Sequence, residues 1–259
     1  QRDIPTNSLA AAATVMKKRT MQLLDLTLES PAANLALDEA LLLRAAEPGM
    51  AGEVLRLWES TVPAIILGRS SRCDQEVDLS ACQQRGIPVL RRCSGGASVV
   101  IGPGCLMYSL IVHYERQPQL RSITTAHDYV LDPLRRALSS LIPMVQRDGT
   151  SDLTLNGYKF SGNSLKCTSQ SVLYHGTLLY DFPLSWISDL LLPAPRQPAY
   201  RESRDHANFV TNFPASRETL RHVLKNAWSA DQELGDWPRE ITRRLQRDRY
   251  SCHNWNHRH

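Results

Sequence analysis

The sequence predicts an α+β protein with a central mixed β-sheet flanked by helices, and three observations carry that prediction. Short strand-like runs are interspersed with helical stretches without the regular βαβ alternation of a doubly wound fold. Asn156-Gly157 stands between two alternating runs, 152–155 and 158–160, the signature of a type I′ hairpin. Gly102-Pro103-Gly104 makes a further turn between the apolar runs 97–101 and 106–113.

The elements follow in order. Residues 1–20 have no firm apolar period and read as a flexible extension, with one domain spanning 21–259. Ser30-Pro31 supplies an N-cap and a first helical residue for a helix over 32–46 that stops at Pro48-Gly49. Strands are predicted at 54–58 and 63–67, then a short helix over 76–85 closed by Gly86. Strands at 87–90, 97–101 and 106–113 precede a long helical pattern over 122–141, where Asp132-Pro133 marks a kink or a second piece. After the hairpin come a strand over 172–180 and an amphipathic helix over 183–192. The proline-rich stretch 193–198 is a loop, and helices follow at 215–228 and 238–249.

Composition narrows the function classes. The net charge of +4 is concentrated at the ends: residues 1–20 carry +3 and residues 239–259 carry +4, which leaves −3 on the body between them. No basic face is evident within the fold, so nucleic acid is not an expected partner. No run reaches membrane-spanning length, and no secretory apolar segment is visible. The six cysteines form no C-x-x-C pair, which argues against structural zinc and for reduced thiols in a cytoplasmic protein. The terminal His253, His257 and His259 have irregular spacing and read as a solvated tail.

Two segments carry chemistry. In Arg91-Arg92-Cys93-Ser94-Gly95-Gly96 a glycine pair lets backbone N–H groups approach an anion beside fixed positive charge. In Lys159-Phe160-Ser161-Gly162-Asn163 a lysine offers a compact point charge to a phosphate or carboxylate. Together they point to an anionic, nucleotide-containing ligand; separately, each is also what an ordinary turn contains.

Those segments resemble the lipoate-protein ligase family. The similarity runs through Gly68-Arg69, then Gly86-Ile87-Pro88-Val89-Leu90 into the arginine pair and Ser94-Gly95-Gly96-Ala97. It continues in Asp152-Leu153, in Asn156-Gly157-Tyr158-Lys159-Phe160-Ser161-Gly162-Asn163 and in Tyr174-His175-Gly176-Thr177-Leu178-Leu179. It covers about residues 21–213 and implies a fold of the biotin/lipoate ligase catalytic-domain type. The resemblance further implies ATP-dependent activation of lipoate or octanoate to an acyl-adenylate, then transfer to a lysine of a lipoyl carrier domain. The carriers implied are 2-oxoacid dehydrogenase E2 or the glycine cleavage H protein. Lys159 would be the catalytic cation between the acyl and phosphate groups. Asp152 would hold Mg²⁺. Gly68, Arg69, Arg91, Arg92, Ser94, Gly95, Gly96, Ala97, Ser161, Gly162, His175, Gly176 and Thr177 would line the acyl and nucleotide site, with at least one of the two arginines on the ligand.

The chain also departs from the family pattern. Ala97 replaces the third glycine, Ile101-Gly102 a His-Asp pair, Gly104-Cys105 a Gly-Asn, and Ser151 an Asn. It ends too soon for the accessory domain of longer ligases, which implies a separate accessory subunit or acyl transfer alone. The main rival is therefore an ATP-independent octanoyl or lipoyl transferase with a cysteine nucleophile. The loop before Asp152 has no thiol, leaving Cys105 and Cys167 as candidates. An inactive protein that binds lipoate or lipoyl domains is a third reading, opposed by Lys159 and Asp152.

Overall fold

A computed structural model of the chain describes residues 21–47, 52–193, 195 and 197–258. The expected extension at 1–20 and the stop at Pro48-Gly49 lie outside the described residues. Two sheets organise the rest. The larger has eight strands, with β1 (Met21–Asp25), β2 (Glu53–Glu59), β6 (Cys105–His113), β10 (Ser171–Leu179), β9 (Tyr158–Cys167), β8 (Asp152–Leu155) and β7 (Val145–Asp148) adjacent in that order. The short β11 (Gln232–Glu233) lies outside β1. The smaller sheet places β3 (Ala64–Leu67) between β4 (Val89–Arg91) and β5 (Val99–Ile101). The large sheet is mixed: β1 runs parallel to β2 and β11, and the remaining pairs are antiparallel.

Burial explains this order. Strands β6 and β10 are buried along almost their whole length because helices cover both faces of the sheet centre. On one face α4 (Ile123–Ser139) and α6 (Arg217–Ala227) bury Leu131, Leu134, Leu138 and Leu224 against Leu110, Val112 and Tyr174. On the other, α1 (Pro31–Arg44) packs against β6 and β10. Its start is set as the sequence dictates: the Ser30 side chain accepts from the Ala33 N–H, and Pro31 opens the first turn. The expected hairpin forms between β8 and β9 with Asn156 at φ 52° and Gly157 at φ 78°, both positive as a type I′ turn requires.

Several boundaries differ from expectation. The helix expected over 76–85 is two pieces, α2 (Cys73–Glu76) and α3 (Leu79–Gln84), because Val77 is extended and Asp78 caps a new start through Ala81. Pro133 neither breaks nor divides α4, which is assigned as one helix capped by Ser122. Strands β1, β7 and β11 are short elements that local pattern does not single out. The amphipathic helix expected over 183–192 is α5 (Ser185–Leu190).

The segment 250–258 is folded rather than a solvated tail, although His253 is exposed; His259 lies outside the described residues. After α7 (Arg239–Leu245) a π-turn over 246–250 and α8 (His253–Asn256) fold back onto the edge strand β4. There side chains do the pairing of a missing strand. The Asn256 carboxamide oxygen accepts the Arg91 N–H at 2.9 Å, and the Trp255 indole donates to the Arg91 carbonyl at 2.8 Å. This closes the exposed backbone groups that an edge strand otherwise presents.

Candidate active site

Lys159 and Asp152 meet across the hairpin. A bulge between Leu153 and Thr154 shifts the register, so Asp152 faces Gly162 while Thr154 faces Lys159. A Cβ at position 162 would lie 3.0 Å from the lysine ammonium, so glycine there leaves room for Lys159 to fold over the strand. Its Nζ reaches Asp152 Oδ1 at 2.8 Å. The other carboxylate oxygen accepts from the Tyr200 hydroxyl at 2.7 Å. Burial and the adjacent Asp152 charge raise the Tyr200 phenol, which keeps it a proton donor.

This pair stands between two adjoining cavities of about 180 and 120 Å³ that share Ala97, Ser98, Val99, Lys159, Gly162 and Thr177. The first runs from Asp152, Lys159 and Asn163 toward Leu35, Ile66, Val99 and Met107, with Asp38 and His175 also in its wall. The second has apolar walls from Val100, Phe160, Leu179, Ile187, Leu191 and Val210, with Arg201 and His206 beside Lys159. Burial lowers the His206 imidazole, and the Arg201 charge lowers it further.

A chain of hydrogen bonds supports the first cavity. Arg92 Nε donates to Ser94 Oγ at 3.1 Å, so the Ser94 hydroxyl hydrogen is available to His175 Nε2 at 2.5 Å. That leaves His175 Nδ1 facing Asp38 Oδ2 at 3.8 Å. Burial raises the Asp38 carboxyl, but the buried Arg56 guanidinium at 2.5 Å and the neighbouring His175 together reverse this and hold it below the usual carboxylate range. Ser109 donates a further bond to Asp38 at 2.8 Å. Burial pushes Arg92 down to about 10, still a cation at neutral pH. Its guanidinium organises the loop by donating to the carbonyls of Ile66, Gly95 and Ala97.

The predicted residues divide into three groups. Arg92, Gly96, Ala97, Asp152, Lys159, Gly162, His175, Gly176 and Thr177 line the first cavity, and Ser161 joins the second. Gly68, Arg69, Ser94 and Gly95 adjoin the wall without lining either cavity: Gly68 lies under Gly96, Arg69 and Gly95 are exposed, and the Arg69 N–H donates to the Ser94 carbonyl at 2.7 Å. Arg91 does not line either cavity. It is fully buried, and its guanidinium donates to the carbonyls of Gly68, Ser71, Trp255 and Arg258. Of the arginine pair, the one whose side chain follows β4 inward became a clamp for the C-terminus.

Sequence reasoning missed Asp38, Asn163, Arg201 and His206. Asp38 and Arg56 had a signal: each interrupts an apolar run, in Leu35–Leu42 and Val54–Trp58, with opposite charge. Arg201 and His206 had none, because the loop after α5 carries no periodicity. No cysteine lines either cavity. Cys105 is fully buried with its thiol raised by burial, Cys93 is pushed up to about 12, and Cys167 lies at the far end of β9.

A cation–carboxylate pair thus stands where two largely apolar cavities meet, the arrangement of a candidate site for a ligand with an acidic head and an apolar body. Comparison with known proteins agrees with that class. The lipoyl protein ligase A/B catalytic domain model matches residues 30–232, and the chain belongs to that family. It is 23% identical over 212 residues to the lipoate-protein ligase LplJ of Bacillus subtilis, covering 75% of this chain and 62% of that protein. It is 23% identical over 279 residues to the octanoyltransferase LipM of the same organism, covering 94% and 100%. Among solved structures, a bi-partite lipoate protein ligase from Thermoplasma acidophilum superposes with a TM-score of 0.77 at 21% identity, covering 92% of this chain and 96% of that one. A lipoate-protein ligase A solved with bound ATP gives 0.74 at 22% identity, covering 92% and 98%. The fold is therefore the lipoate-protein ligase fold, and the chain is an enzyme of protein lipoylation. Among the described residues no helix is long and apolar enough to cross a membrane.

Proposed function

We propose that this chain is the catalytic part of a cytoplasmic lipoate-protein ligase. It activates lipoate or octanoate with ATP and transfers the acyl group to a lysine of a lipoyl carrier domain. One observation carries this reading over the transferase: the Lys159–Asp152 pair sits where the two cavities meet, and neither cavity offers a thiol. A transfer through a cysteine thioester needs an accessible, ionisable thiol. Of the two candidate thiols, Cys105 is buried and raised by burial, and Cys167 lies at the far end of β9, outside both cavities.

The geometry suits two anions. An acyl chain fits the first cavity along Leu35, Ile66, Val99 and Met107, with its carboxylate at Lys159. A base fits the apolar second cavity, which puts its phosphates near Lys159, Arg201 and His206. A carboxylate oxygen then attacks the α-phosphorus, the bond to the β-phosphate bridging oxygen breaks, and pyrophosphate leaves. The Lys159 ammonium screens the repulsion between the two anions and stabilises the charge that develops. In the second step the acceptor amine attacks the acyl carbonyl, AMP leaves, an amide forms and the amine proton is released. Mg²⁺ would arrive on the nucleotide phosphates, a mode of binding that asks for one or two protein carboxylates. Asp152 fits as that ligand, and the ion would neutralise phosphate charge.

The test is incubation with lipoate, Mg²⁺-ATP and an unmodified lipoyl domain. AMP and pyrophosphate should form together with the modified domain. Modification without ATP, from an octanoyl-carrier protein, would establish the transferase instead.

A further inference from the structure

The fold carries Arg249 and Arg258, from the end of the chain, to the segment that is hydrogen-bonded to the cavity loop. Trp255 anchors them: the guanidinium carbons of Arg249 and Arg258 lie 4.7 and 3.9 Å from its ring centroid. Arg258 donates to the Arg69 carbonyl at 2.8 Å. Arg69 in turn is bonded through its N–H to Ser94, in the loop whose next residues, Gly95 to Ala97, are exposed beside the cavity. From the opposite side Ser164 of β9 donates to the Gly95 carbonyl at 2.9 Å. Lys166, two residues further along the same strand, shares the Ser164 face.

Four cations thus gather around this segment: Arg69 is bonded to the loop, Arg258 to Arg69, Arg249 shares the Trp255 ring with Arg258, and Lys166 stands two residues from Ser164. Of these, only Arg249 has a carboxylate partner, Glu39, among the described residues. After burial, the charges of Arg91, Arg69 and Arg249 are what lower the Arg258 guanidinium, so these groups feel one another. Positive charge held together against self-repulsion favours a negative partner. An elongated polyanion is disfavoured by the body, which carries −3 over residues 21–238 even with Arg69 and Lys166 counted. A compact acidic surface is not.

We propose that Arg69, Arg249, Arg258 and Lys166 form the docking surface for an acidic acceptor protein domain, holding it with its target lysine over the cavity mouth. This rests on the acyl-transfer reading above and adds where the acceptor binds. Complementary charge acts chiefly on the rate of encounter, so its loss raises the acceptor KM and leaves chemistry within the cavity intact.

The experiment uses Lys166→Glu and Arg258→Glu, neither of which touches the cavity. Acid- and ATP-dependent pyrophosphate formation without acceptor should match the parent protein. The KM for an unmodified, acidic lipoyl domain should rise about tenfold in each variant, and the gap should shrink at high salt. Acceptor domains with carboxylates near the target lysine reversed to lysine should recover the loss. Lys166→Glu disturbs no described contact, so it decides the matter if Arg258→Glu misfolds. Direct titration of the fluorescently labelled lipoyl domain reads the same surface even if no acid is activated, which would sink the ligase reading alone. Unchanged acceptor binding in Lys166→Glu overturns the proposal. So does RNA binding that both variants abolish while acceptor kinetics stay as in the parent.

Discussion

Replacing Arg91 with leucine separates a ligand-binding arginine from a structural one. Its guanidinium donates to Gly68 at 2.8 Å, Ser71 at 2.7 Å, Trp255 at 3.1 Å and Arg258 at 2.8 Å. Leucine keeps most of the volume and none of these donors. Two buried and two half-buried carbonyls would lose their partner, at about 1–3 kcal/mol each when no water replaces it. Water reaches the half-buried Trp255 and Arg258 positions more readily than Gly68 and Ser71, so the loss should settle near about 4 kcal/mol. At roughly 2–4 °C per kcal/mol for a chain of this size, the melting temperature should fall by about 8–16 °C. Differential scanning calorimetry measures it, and limited trypsin digestion should cut at Arg247 and Arg249 sooner because α8 is no longer clamped. A variant that melts like the parent yet binds neither acid nor nucleotide would refute this reasoning and return Arg91 to the ligand.

Other outcomes follow from the same geometry. Lys159→Ala should lower acid activation about 10²–10³-fold, the usual cost of removing one preorganised charge-stabilising group, while the fold persists because Tyr200 still holds Asp152; full activity in that variant would end the central assignment. Iodoacetamide should leave ATP-dependent activity intact in the native protein, since Cys93 and Cys105 are buried; inactivation that ATP and lipoate protect against would revive a thiol mechanism. His127 is depressed by burial and then by Arg147, and it contacts the Tyr174 hydroxyl at 2.9 Å. Its folded-state value lies below the unfolded one, so the unfolded chain takes up the proton first as pH falls. Stability should therefore decline on acidification below about 6.5 and level off beneath the folded value. His127→Gln should flatten the melting temperature across that window, and an unchanged slope would count against it.

Much of the candidate site was legible because its signals are local. Asn156-Gly157 dictates a two-residue turn from its own backbone preferences, and that turn places Lys159 and Asp152 on neighbouring strands. The Ser30 cap and the run of apolar residues in β6 and β10 are equally local. The difference between Arg91 and Arg92 was not legible. Both follow the same strand, and the pleat sends one under Gly68 toward α8 and the other toward the cavity loop. Only contacts 164 to 167 residues away in the chain, to Trp255, Asn256 and Arg258, reveal which is the clamp. The C-terminal arginines tell the same story, since a charged tail and a charged rim have one composition. By itself the sequence determined the family and the hairpin that carries Lys159, because short-range backbone and motif chemistry specify them. Tertiary structure alone decided which cations line the cavities, which are buried as clamps and which gather outside the loop, because burial and charge pairing depend on distant partners.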